Sequence, residues 1–150
     1  MSVLYLDTSA LAKRYIGEIG SHWIRGLTAP RTGNIIVICD LTPIEIFSLI
    51  ARRQRDRLLT PAKASLLKSG FLKHQEKQYV SILLESVVLN NARDLVGKHL
   101  LRPPDALQLA CALRAIHELG EPITFICADQ QLLNAAQAEG LAIDNPNLHL

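Results

Sequence analysis

Residues 35–55 read IIVICDLTPIEIFSLIARRQR, and this stretch decides the fold. Ile35–Cys39 is a short, continuous, β-branched run. That composition predicts a strand buried on both faces rather than one face of a half-exposed sheet. Thr42-Pro43 then supplies a capping residue and a proline at the first helical position, predicting a helix to about Arg55.

The same alternation continues outward in both directions. Toward the N-terminus, Ser2–Leu6 (SVLYL) reads as a buried strand, and Thr8 or Ser9 can cap a helix over Ala10–Tyr15 that ends near Gly17. Ser21–Leu27 reads as a short helix. Toward the C-terminus, Thr60-Pro61 opens a helix to about Gln78, Tyr79–Leu83 a strand, and Ser86–His99 a helix. Pro103-Pro104 restarts the chain into a helix ending near Gly120. Thr124–Cys127 is a strand, Gln130–Glu139 a helix closed by Gly140, and Ala142-Ile143 a short final strand. Apolar strands alternating with helices predict a three-layer α/β/α domain with a mainly parallel sheet. With no repeat or linker, residues 1–150 are read as one domain.

Composition narrows the class. The chain is 49% hydrophobic and 20% charged, as expected of a folded protein, and its net charge of +2 does not by itself announce a nucleic-acid binder. No apolar run is long enough to cross a bilayer. Asp7 and Lys13 interrupt any basic-then-apolar leader, so a cytoplasmic location without membrane partners is expected. Cys39, Cys111 and Cys127 show neither CxxC nor Cys/His spacing, and read as buried free thiols rather than a disulfide framework or zinc site.

In a parallel α/β sheet, sites form beyond the carboxyl ends of the strands, where strand order reverses. Four acids are positioned to reach that edge: Asp7 after the first strand, Glu45 one turn into the helix after IIVIC, Asp105 behind the Pro-Pro loop, and Asp129 beyond TFIC. Each has a structural alternative. Asp129 is a good N-cap, Asp105 suits the positive end of its helix, and Thr42-x-x-Glu45 is a capping box. Asp7 is the exception, because Thr8 and Ser9 can do the capping. Together, such acids would repel one another unless protons or a cation neutralised them, and an all-oxygen set favours Mg²⁺ or Mn²⁺ over zinc. Asp40, which also directly follows a strand, is a rival to Glu45.

The ordered motifs go further. LYLDTSALAKRY, LTPIEIFSLIARR, RPPDALQLACAL and FICADQQLLNAAQAEGL resemble, in sequence and in order, the four motifs of PIN-domain toxins of the VapC type. The resemblance implies a PIN-like fold and a magnesium-dependent endoribonuclease acting as the toxin of a toxin–antitoxin pair, with Mn²⁺ as a substitute ion. It implies Asp7, Glu45, Asp105 and Asp129 as both catalytic residues and metal ligands, chooses Glu45 over Asp40, and gives Thr8 or Ser9 the support of Asp7. It implies a protein antitoxin, an RNA substrate and a homodimer. Apolar positions Ile44, Ile46, Phe47 and Ile50 are candidates for those protein contacts or for the core. Gln108 departs from the pattern, since relatives often carry His there, although a residue three positions after Asp105 can still donate a hydrogen bond.

An RNA substrate calls for cations beside the acids. Arg52, Arg53, Arg55 and Arg57 crowd the end of the Glu45 helix, and Lys13 and Arg14 lie near Asp7; these would contact phosphates without reading sequence. Lys63, Lys68, Lys73 and Lys77 read as a solvated helix face. Two other readings compete. A phosphotransfer or phosphatase domain would use Asp7, but a DxD pair fails because position 9 is Ser, and no acid adjoins Asp7. A catalytically inactive binding module would use the acids only as caps.

Overall fold

The computed structural model describes all 150 residues, and the alternation read from the sequence is present throughout. The elements are β1 (Val3–Leu6), α1 (Thr8–Tyr15), α2 (Ser21–Thr28), β2 (Ile35–Cys39), α3 (Thr42–Arg55), α4 (Pro61–Lys77), β3 (Tyr79–Ile82), α5 (Ser86–His99), α6 (Pro103–Leu119), β4 (Thr124–Ile126), α7 (Gln130–Ala138) and β5 (Ala142–Asp144). Two single 3-10 turns, Pro30–Thr32 and Pro146–Leu148, were not foreseen. Each opens with a proline, whose fixed φ suits a tight turn. Predicted ends hold to within two residues. Thr60 caps α4 by accepting from the Lys63 amide, and Gly120 ends α6 in the left-handed conformation that a residue without Cβ adopts cheaply.

The five strands form one sheet in the order β3-β2-β1-β4-β5, and every pairing is parallel. Successive side chains of a strand point to opposite faces, so the central strand feeds two cores. Val3 and Tyr5 join Val37, Cys39 and Phe125 beneath α5, α6 and α7. Leu4 and Leu6 join Ile36, Ile38 and Ile126 beneath α1, α3 and α4. Burial on both faces is why β1 and β2 carry unbroken apolar runs, whereas the edge strands β3 and β5 are partly exposed and include Ser81 and Asp144. Tyr5 stacks on Phe125 at 5.4 Å between ring centres and 5° between planes, tying β1 to β4. Within α3, Ile46 and Ile50 are core residues and Phe47 packs against that core, whereas Ile44 is exposed. No helix is long and apolar enough to cross a membrane.

Order reverses between β1 and β4: the chain passes outward through β2 and β3 on one side, then through β4 and β5 on the other. The loops at the carboxyl ends of β1 and β4 therefore part company and leave a crevice.

Candidate active site

An acid follows each of the two strands at that crevice. The Asp7 amide donates to the Ile126 carbonyl (3.1 Å), so β1 hands the chain over directly beside β4. Asp7 itself is the N-cap of α1. Its Oδ1 accepts from the Ala10 amide (3.0 Å) and from the Ser9 hydroxyl (2.7 Å). This corrects the expectation that Thr8 or Ser9 caps the helix; both lie inside it, because the turn begins immediately after β1. Asp129 caps α7, its Oδ1 accepting from the Gln131 and Leu132 amides. In both residues, capping occupies one carboxylate oxygen, so it does not compete with a role for the other.

The capping box expected at Thr42-x-x-Glu45 is not made. The N-cap of α3 is Leu41, without any side-chain cap bond, and Glu45 lies within the first turn. Its Oε1 accepts instead from Thr8 Oγ1 (2.7 Å) and Gln108 Nε2 (2.9 Å). The hydroxyl support expected for the first Asp is therefore divided: Ser9 holds Asp7, and Thr8 holds Glu45. Asp105 sits in the first turn of α6 with Oδ2 3.2 Å from Arg102 Nε.

Asp7, Glu45, Asp105 and Asp129, carried by four different elements, line one cleft of about 540 Å³. Asp40 does not line it; its amide continues the β2–β3 ladder by donating to the Ile82 carbonyl. Among the cations, Lys13, Arg52 and Arg53 line the cleft, as does Arg102, which the sequence reading did not single out. Lys13 is 5% exposed and already donates to Glu18 and to the Ile19 carbonyl. Arg14 and Arg55 lie outside the cleft. Arg14 donates to Gln78 and the Tyr79 hydroxyl, and Arg55 pairs with Asp56. The local need for a buried partner at Arg14, and the helix end at Arg55, claim these two side chains.

Burial is the largest influence on Asp7 and raises its pKa from 3.8 to about 6; the nearby Asp105 charge also raises it, while hydrogen bonds from Ser9, the Ala10 amide and Cys127 pull the other way. A carboxylate so placed gains from a neighbouring cation. The donor set suits a hard ion: five carboxylates line the cleft, one of them (Glu18) paired with Lys13, with no imidazole and with serine and threonine hydroxyls beside them. No three His, Cys, Asp or Glu side chains close tightly enough to grip an ion unaided. Mg²⁺ keeps several of its waters and takes one or two carboxylates directly, so a spaced set of acids fits it better than it would fit zinc.

Because Ser9 and Thr8 bond to different acids, their removal should be separable. Were Asp7 and Glu45 to hold a cation, Ser9→Ala and Thr8→Ala would each weaken Mn²⁺ binding by about 10–100-fold, through loss of a partner that orients the acid. Isothermal titration of both variants with Mn²⁺ checks this. Unchanged affinity in both would remove the hydroxyls from the site.

No family model matches the sequence, and neither does any curated protein. Solved structures do share its fold. The chain is similar to one in the structure of FitAB bound to an IR36 DNA fragment (TM-score 0.66, 17% identity, covering 98% of this chain and 96% of that one). It is also similar to a chain of VapBC2 from Rickettsia felis bound to a DNA fragment from its promoter (0.63, 13%, 95% and 98%), and to one of a toxin–antitoxin complex from Klebsiella pneumoniae (0.60, 14%, 95% and 97%). The PIN-like three-layer α/β/α fold that the motifs implied is thus the fold observed.

Proposed function

We propose that this chain is a divalent-cation-dependent endoribonuclease, the toxin of a toxin–antitoxin pair. One observation carries the reading: four acids far apart in sequence line a single cleft at the point where strand order reverses, with arginines on its walls. Asp7 and Asp105 are the direct holders of Mg²⁺ or Mn²⁺, and Asp129 and Glu45 complete the shell through a carboxylate oxygen or a bridging water. A bound ion supplies positive charge against the phosphodiester oxygens and makes a water molecule acidic. Asp7, its pKa raised to about 6 by burial, would carry its charge at neutral pH, and a cation beside it would favour that charged form. Arg52, Arg53 and Arg102 bind backbone phosphates on either side of the acids, which positions RNA without reading its bases.

The toxin assignment rests on the shared fold with the FitAB, VapBC2 and Klebsiella pneumoniae complexes. A protein antitoxin would cover the cleft, and two copies of the chain would pair. The phosphotransfer alternative is disfavoured by Ser9, whose hydroxyl is bonded to Asp7 where a DxD motif needs a second acid. Purified protein is expected to cut RNA internally in Mg²⁺ or Mn²⁺ and to stop on addition of EDTA. The assay should present transfer, ribosomal and messenger RNA, and be paired with growth arrest on expression that a co-expressed antitoxin relieves. Cleavage that continues undiminished in EDTA, or no cleavage and no growth arrest with any RNA class, refutes the proposal.

A further inference from the structure

Gln108 is 3% exposed, and every polar atom of its side chain is engaged. Its Oε1 accepts from the Tyr5 hydroxyl (2.7 Å), and its Nε2 donates to Glu45 Oε1 (2.9 Å) and Thr8 Oγ1 (3.1 Å), with Thr42 Oγ1 farther off at 3.4 Å. The amide has only one workable orientation. Turning it over would set its carbonyl against the Glu45 carboxylate and point its NH₂ at a phenol that must donate elsewhere. Tyr5 is itself immovable, being fully buried and stacked on Phe125.

Building on the proposed nuclease reading, we propose that Gln108 is a positioning residue that fixes which oxygen of Glu45 faces the cleft. Nε2 and the Thr8 hydroxyl both bond Oε1, and Nε2 also bonds the Thr8 oxygen, so the three groups close a triangle. That leaves Oε2 as the oxygen Glu45 can offer to an ion or its water. Because Gln108 lies one turn beyond Asp105 on α6, the same helix presents one acid to the cleft and orients another. A merely structural amide would affect folding alone; a positioning amide affects ion binding in protein that is fully folded.

The test is Mn²⁺ titration of the purified, metal-free protein by calorimetry, without RNA, alongside circular dichroism to report folding. Gln108→Leu is expected to weaken Mn²⁺ binding about 10–100-fold, as loss of a ligand's partner does. Tyr5→Phe/Gln108→Leu removes the hydroxyl that the single variant would strand, so it should recover thermal stability while binding Mn²⁺ equally weakly. Gln108→His retains one donor and one acceptor as a neutral imidazole and should restore binding. If the folded double variant binds Mn²⁺ like wild type while Asp105→Asn does not, the positioning role is wrong and the nuclease reading stands. If Gln108→His binds as weakly as Gln108→Leu, restoring a donor and an acceptor does not restore the site, and the positioning role is again wrong. If Asp105→Asn also binds like wild type, both readings fall.

Discussion

Asp105→Asn is expected to abolish divalent-dependent RNA cleavage while leaving the protein folded. The carboxylate is half-buried, lines the cleft, and lies close enough to Asp7 to raise its pKa. Replacing it with a neutral amide removes charge that a bound cation needs, and an ion in such a site contributes several kcal/mol of charge stabilisation. At about 1.4 kcal/mol per tenfold, losing it costs on the order of 10³-fold or more in rate. The structural cost is small. Asp105 is not the N-cap of α6, a role that falls to Arg102, and its only ion pair is with an Arg102 side chain that is 77% exposed. Such a pair contributes at most about 1 kcal/mol, and loss of a negative charge at a helix N-terminus costs a similar amount. The measurements are cleavage of end-labelled RNA in Mg²⁺, growth on expression, and a melting curve. A folded variant that is as nucleolytic and as toxic as wild type would end the carboxylate mechanism.

Asp7→Asn should move function and stability in opposite directions. Under the proposed function, activity is expected to be lost, because a carboxylate that senses the Asp105 charge is gone. Metal-free stability rises near neutral pH. The native pKa of Asp7, about 6, lies above its unfolded value, so between about pH 4 and 6 the native state keeps a proton that the unfolded chain has released. Wild-type stability from this group is therefore present at low pH and lost as pH climbs through that window, by roughly 3 kcal/mol at most. Asparagine never carries the charge, yet can still accept from the Ala10 amide and keep the cap. Urea unfolding at pH 4 and pH 7 in EDTA reads the difference. Other groups titrate in the same range; Glu139, for example, is held low by Lys98 and His99, but it titrates in both proteins and cancels. The variant should gain about 1–3 kcal/mol over wild type at pH 7 and little at pH 4. Parallel curves for the two proteins would show that Asp7 ionises freely.

Much of this was legible in the sequence because its signals were local. Buried parallel strands write themselves as runs such as IIVIC, and Thr-Pro pairs mark helix starts, so the sheet and most boundaries follow. Asp7 and Asp129 were legible as site residues because each directly follows a strand, and strand ends define the crevice. Spacing alone did not choose Glu45, since Asp40 met the same local criterion; the motif resemblance did, and in the structure the turn of α3 aims Glu45 at Thr8 and at Gln108, 63 positions away. The helix start misread at Thr8 failed for a different reason, because Asp7 both caps and lines the cleft. Arg14 looked available until β3 brought Tyr79 against it. The importance of Gln108 and Arg102 needs the tertiary fold, though the spacing of Gln108, one turn beyond Asp105, was a usable hint.

β1 is the first of the five strands in chain order, yet it occupies the middle of the finished sheet. Leu4 pairs with Ile36 on one side and with Thr124 on the other. Pairings so distant along the chain are slow to close. At ribosomal rates of 5–20 residues per second, on the order of ten seconds separate the appearance of Asp7 from that of Asp129. During that interval the nascent chain carries Asp7 and Glu45 without β4 beside them, and the crevice does not exist. A chain interrupted before Ile126 leaves β1 with a bare edge and no cleft. Assembly order thus acts as a timer: the four acids can meet only once β4 has joined β1, so the cleft is among the last features of this fold to form.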